Sequence, residues 1–145
     1  MGGGLPKPLR VVGGRTLVRR VSASLEGAGA PYENQIVVVS PDFDREASGL
    51  EMSGCDWAVQ PEAKGTGDAA RWGLAAIAKE EGDPLVIVAL ADVPFTRNGT
   101  YKILAAQTPP GGLAFVSAEV PEPASLGRVV RDGQGAVQDI VEFKE

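Results

Sequence analysis

Two uninterrupted apolar runs limit what this chain can fold into: QIVVVSPD at residues 35–42 and PLVIVALADVP at residues 84–94. A strand with one wet face alternates polar and apolar residues. A strand that is apolar throughout demands cover on both faces, as in a parallel sheet between helical layers. DWAVQ, residues 56–60, reads as a further, shorter strand. Helical periods lie around these runs. Leu17, Val18, Val21 and Leu25 recur at helical spacing between Arg15 and Gly27, with Gly27 as the stop. A second helix is expected from about Asp68 to Glu80, burying Ala70, Leu74, Ile77 and Ala78. Thr96 or Asn98 is placed to cap a third, running through Leu104 and Gln107. Strand and helix thus alternate in the first half, which predicts a right-handed α/β layout. The opening residues 1–8, MGGGLPKP, read as a loop. After TPPGG the pattern changes to LAFVSAEV, GRVVRD and AVQDIVEFKE, a strand followed by a hairpin turning at Asp132-Gly133. One domain over residues 1–145 is expected, α/β with a mainly parallel sheet and a late β-hairpin.

Charge and residue usage narrow the chemistry. Fourteen Lys and Arg stand against nineteen Asp and Glu, a formal net charge of -5. A broad basic face for nucleic acid is not expected from that balance. The chain has no histidine and one cysteine, Cys55. Ser-His and Cys-His nucleophiles are therefore excluded, as are histidine metal sites and an internal disulfide. Carboxylates, lysine, arginine, amides and an oxygen-ligated cation such as Mg²⁺ are left to do the work. A single unpaired cysteine fits a reducing cytoplasm. No apolar run approaches the roughly 20 residues of a membrane span, and no leader precedes the first charges.

Ligands of open α/β sheets collect at the carboxyl ends of the strands. Gln60 ends one strand there, and Gly65-Thr66-Gly67 follows at a helix start. Glycines allow close backbone approach, free amides of a first turn favour acceptors and anions, and a glutamine amide can read a base edge. The same residues also suit a plain helix start with Thr66 or Asp68 as N-cap. Asp92, at the end of the strongest apolar run, is placed to hold Mg²⁺ against phosphates, or simply to begin the turn at Pro94. In LPKPL two prolines stiffen the chain around Lys7, which presents a point charge suited to phosphate or stands as an ordinary surface lysine. Glu142 and Lys144 alternate with Val141 and Phe143, as on the polar side of a late strand.

In chain order, LPKPLRVVGGRTLVRRVSASLEGAG, QPEAKGTGDAA, LADVPF, ASLGRVVRDGQG and DIVEFKE resemble successive blocks of the sugar-phosphate nucleotidyltransferases, most closely an N-terminal uridylyltransferase domain. The resemblance covers about Leu5 to Glu145. It implies a Rossmann-like three-layer fold and Mg²⁺-dependent transfer of UMP from UTP to a sugar 1-phosphate such as N-acetylglucosamine 1-phosphate, releasing pyrophosphate. It further implies Lys7 on the nucleotide phosphates and Gln60 on the uracil. Gly65 and Thr66 would lie beside base and ribose, Asp92 on Mg²⁺, and Gly127 and Glu142 on the sugar phosphate. The family's GxGTRM loop and first strand have no counterpart ahead of Leu5, and its aromatic-Gly-Asp triplet is Leu90-Ala91-Asp92 here. Little turnover is therefore expected of the chain as written. A non-catalytic nucleotide-binding remnant, or transfer with another base or sugar, is the alternative, and oligomeric state stays open.

Overall fold

A glycine pair sets the first reversal of the chain. In the computed structural model, Gly13 and Gly14 adopt φ values of 55° and 77°. This left-handed region is where glycine is favoured, and two such residues make the tightest hairpin connection. They join strand β1 (Val11–Val12) to β2 (Arg15–Thr16), with Val11 opposite Thr16 and Val12 opposite Arg15. The structure describes residues 5–46, 48, 50–77, 84–122 and 124–141. It divides into two compact units, residues 1–108 and 109–145.

In the first unit, helix α1 (Leu17–Glu26) follows directly from β2. Thr16 caps it, its hydroxyl accepting from the Arg19 amide at 3.4 Å. The apolar stripe closes on Val18 and Val21, and Gly27 stands at the C-cap as expected. Gln35 ties this helix to the next strand. The Ser22 hydroxyl donates to Gln35 Oε1, while Gln35 Nε2 donates to Ser22 O at 3.1 Å and Ala30 O at 2.8 Å. Its amide is thereby satisfied at a position only 7% exposed, as a buried polar group requires.

Strands β3 (Ile36–Val39) and β4 (Asp56–Val59) pair in parallel, with Ile36 opposite Asp56 and Val39 opposite Val59. Residues 40–55 make the crossover that a parallel pair needs. Part of this segment fills the core, where Leu9, Val18, Leu50, Met52 and Cys55 meet, with Val37, Phe43, Trp57 and Ala91 packed alongside. Phe43 and Trp57 stack at 6.0 Å, and the Arg45 guanidinium lies 4.6 Å above the Trp57 ring. Burial pushes the Cys55 thiol above its usual pKa, so Cys55 is a packing residue and a poor nucleophile.

Helix α2 (Thr66–Ile77) packs on β3 and β4. Its contact face is rotated from the expected one. Leu74 is exposed and Gly73 is buried, with Ala70 and Ile77 half-buried on the same side; Ala78, the fourth residue of the expected stripe, lies outside the described residues. The rotation follows from a close approach: a Cβ on Gly73 would sit 3.2 Å from Val38 Cγ2. We expect Gly73→Leu to push α2 away from the sheet and lower the stability of this unit by about 1–3 kcal/mol. Urea unfolding followed by tryptophan fluorescence checks this, and a midpoint unchanged from wild type would show that the approach is not tight.

Helix α3 (Asn98–Gln107) begins one residue after Arg97, which offers no side-chain cap. Neither Thr96 nor Asn98 is the cap expected from sequence. Both are used instead to join helices: the Ser24 hydroxyl donates to Thr96 O at 2.7 Å, and Asn98 Nδ2 to Gly27 O at 3.5 Å. Tyr101 is the buried residue of α3.

Two of the expected strands carry no ladder. Residues 84–94 form no described strand, and Leu85 and Val88 are more than half exposed. Residues 113–120 likewise form none, and Leu113 is 85% exposed. An apolar run states a need for cover, but a strand exists only with a hydrogen-bonding neighbour. Among the described residues β3 and β4 pair only with each other. The expected mainly parallel sheet is thus one parallel pair, accompanied by two antiparallel hairpins.

The second unit contains the expected late hairpin, β5 (Arg128–Arg131) with β6 (Val137–Val141). Asp132 organises its turn. Its Oδ1 accepts from the amides of Gln134 and Ala136, each at 2.9 Å, and Gly135 takes a φ of 88°.

Candidate nucleotide site

The end of β4 and the start of α2 are joined by one side chain. The Gln60 amide continues the parallel ladder, donating to Val39 O at 2.8 Å. This fixes Gln60 at the carboxyl rim of the sheet. Its side chain spans the loop: Nε2 donates to Gly65 O at 3.2 Å and to Asp68 Oδ2 at 2.9 Å. Gly65 has a φ of 91°, which a residue with a Cβ adopts only under strain, and a Cβ there would meet nothing within 4 Å. The backbone therefore turns sharply beside open space. Thr66 is the first helical residue and Asp68 lies in the first turn, so neither stands at the N-cap. Lys64 forms a surface ion pair with Glu62 at 2.8 Å.

Lys7 lies in a single 3₁₀ turn, Lys7–Leu9, with Pro6 at its N-cap and Pro8 within it. The Leu9 amide donates to Pro6 O at 2.9 Å and the Arg10 amide to Lys7 O at 3.1 Å. Leu9 is buried in the core while Lys7 is exposed, so the turn is anchored at one end and presents a cation at the other. Asp92 is exposed in the turn closed by Val93 N to Leu90 O at 3.1 Å. Its neighbour Ala91 packs against the same core as Leu9. The core thus anchors both the Lys7 turn and the Asp92 turn.

Gln60, Gly65 and Thr66 are brought together directly. Lys7 and Asp92 are brought to a shared core rather than to each other. Gly127 lies in the second unit, exposed and immediately ahead of β5, and Glu142 lies outside the described residues. Neither of the two described cavities is lined by Lys7, Gln60, Thr66 or Asp92. Sequence reasoning missed the part played by Asp68 in holding Gln60. The signal was present, since an acidic residue in a first turn, eight positions after a strand-end glutamine, is within reach of its amide.

Among the described residues no three acidic or cysteine side chains gather into a metal cage. Mg²⁺ does not require one. It keeps most of its water and is commonly held by one or two carboxylates together with substrate phosphates. A single exposed carboxylate such as Asp92 has the donor chemistry for that kind of site.

The model of the MobA-like NTP transferase domain matches residues 1–134. The chain belongs to this family. Among similar proteins, the bifunctional protein GlmU of Marinobacter nauticus is 34% identical over 141 residues, covering 97% of this chain and 30% of that protein. The bifunctional protein GlmU of Paracidovorax citrulli is 36% identical over 149 residues, with the same coverage of 97% and 30%. That of Solibacter usitatus is 37% identical over 141 residues, covering 95% of this chain and 29% of the relative. The chain spans about three tenths of the length of these curated relatives. As an NTP transferase domain it has an α/β architecture, and among its described residues no helix is long and apolar enough to cross a membrane.

Proposed function

We propose that this NTP transferase domain binds UTP at the carboxyl rim of β3 and β4 and serves transfer of UMP to a sugar 1-phosphate. The braced Gln60–Gly65–Asp68 loop is the observation that carries this reading. Such a transfer needs positioning and charge neutralisation more than a protein nucleophile, which suits a chain without histidine. In this reading Gln60 meets the uracil edge through its amide. The turn at Gly65 and Thr66 lets base and ribose approach the backbone. Lys7 neutralises phosphate charge from its stiff turn. Asp92 would hold Mg²⁺, which when bound withdraws charge from the phosphate oxygens. Gly127 and Glu142 remain assigned to the sugar phosphate by resemblance to the family, and a cytoplasmic setting follows from the same resemblance.

The sugar 1-phosphate oxygen attacks the α-phosphorus, and the bond to the bridging oxygen of pyrophosphate breaks. Lys7 and the Asp92 site both act on the charge that collects on the departing group. A calorimetric comparison of UTP, CTP, GTP and ATP with Mg²⁺, alongside pyrophosphate release with N-acetylglucosamine 1-phosphate, tests the reading. UTP is expected to bind about tenfold or more tighter than the other three, since a base whose edge leaves a site's polar groups unpaired is rejected. Equal affinities would remove the base assignment, and no triphosphate binding at all would remove the site. UTP binding without pyrophosphate release would select a non-catalytic nucleotide-binding domain.

A further inference from the structure

At the opposite rim of the parallel pair the chain holds a pocket that nucleotide transfer leaves unused. Its volume is about 360 Å³, and Arg15, Arg19, Tyr32, Glu51, Met52 and Ser53 are among its lining residues. Tyr32 precedes β3 and Ser53 precedes β4, so the pocket faces the amino-terminal ends of both strands. Gln60 and Gly65 follow the carboxyl end of β4.

Its two arginines are exposed, and Arg15 lies near enough to Tyr32 to act on its phenol. Among the described residues neither Arg15 nor Arg19 takes part in an ion pair or donates a side-chain hydrogen bond. The adjacent Arg20 contrasts with them: its guanidinium donates to Val12 O and Gly13 O. Arg19 also lies in the first turn of α1, where the helix dipole disfavours positive charge. A guanidinium placed against the dipole and left unpaired lowers stability unless an anion joins it. The remaining walls are a different kind of surface. The Ser22 hydroxyl at the buried floor is already committed to Gln35. Burial, a hydrogen bond with Glu26 and that carboxylate's charge raise the pKa of the Tyr32 phenol, with Arg15 opposing; Glu26 thus engages the hydroxyl and the ring is the part left for a ligand. Ser53 is exposed and offers a hydroxyl.

We infer that this pocket binds a phosphate monoester, its dianion on Arg15 and Arg19 and its organic body against Tyr32 and Met52. Guanidinium groups pair with phosphate through paired, charge-assisted hydrogen bonds. The volume equals roughly a dozen waters, which is more room than a bare oxyanion fills. Glu51, exposed at the same lining, opposes the anion and weakens binding without abolishing it.

The test is a titration with phenyl phosphate in Mg²⁺-free buffer, followed by NMR of the backbone amides, with inorganic phosphate and phenol as the other arms. Saturable shifts are expected at Ser22, Tyr32 and Ser53. The dissociation constant should rise about tenfold or more in Arg15→Gln/Arg19→Gln and fall in Glu51→Gln. Inorganic phosphate should bind more weakly and phenol not at all. Arg19→Gln alone should melt no lower than wild type, which separates lost binding from lost folding. The proposal is overturned if no saturable shift appears at millimolar ligand, or if the arginine replacements leave binding unchanged. Shifts confined to Gln60 and Gly65 would place the ligand at the nucleotide rim and overturn it too. Inorganic phosphate binding as tightly as the ester would assign the pocket to the bare oxyanion and overturn the ester reading.

Discussion

Replacing Asp92 with alanine is expected to remove the Mg²⁺ dependence of UTP binding and to slow pyrophosphate release by about 10²–10³, the scale of losing one group that stabilises developing charge. The fold should survive. Asp92 is exposed in a turn closed by a backbone bond between Val93 and Leu90, so truncating its side chain leaves that bond in place. A surface change of this kind alters stability by within about 0.5 kcal/mol. The measurement is a Mg²⁺ titration of UTP affinity and turnover in wild type and variant, in a form that carries the GxGTRM block, paired with urea unfolding of each. Asp92→Asn should retain part of the binding, because an amide oxygen still ligates but brings no charge. An alanine variant with wild-type response to Mg²⁺ would end the metal role of this residue.

Leu9→Ala should have the largest effect on stability. Leu9 is only 5% exposed and belongs to the cluster that holds Val18, Leu50, Met52 and Cys55 together. Truncating a buried leucine costs about 2–5 kcal/mol, through lost transfer energy and the cavity left behind. Leu9 is also the anchored end of the 3₁₀ turn that presents Lys7. Its loss is expected to weaken UTP binding under conditions where the variant remains folded. Chemical unfolding gives the first quantity and calorimetry the second. A change in stability below about 1 kcal/mol would show that the turn is not held by the core.

Much of both units was legible in the sequence where the signals are local. The α1 stripe, Gly27 as a stop, the strands at 36–39 and 56–59, and the Asp132 turn all depend on spacing and turn chemistry over a few residues. The β1–β2 hairpin was equally readable, as two glycines between Val-Val and Arg-Thr, but residues 11–14 were left unassigned and Arg15–Thr16 were read as the start of the helix. Other features depend on partners distant in sequence. Residues 84–94 are apolar throughout, yet apolarity does not name a neighbouring strand, and no ladder forms on them among the described residues. The face of α2 was misjudged because hydropathy ranks Leu74 above Gly73, whereas α2 packs so close to Val38 that even a Cβ at Gly73 would sit 3.2 Å from Val38 Cγ2. Candidate residues were legible by type and position. Their mutual bracing was legible only as a matter of reach, since the spacing puts Asp68 within range of Gln60 but does not state that it takes the amide rather than the helix start.

That occupation has a consequence for selectivity. A base that takes the Nε2 donors of Gln60 must first displace a carboxylate and a carbonyl already bound there. Recognition through those donors is then an exchange of partners, nearly balanced in energy, whereas a ring that presents the wrong edge forfeits the old bonds and forms no new ones. If Gln60 reads the base as proposed, the loop would discriminate by penalising mismatches more than by rewarding the match.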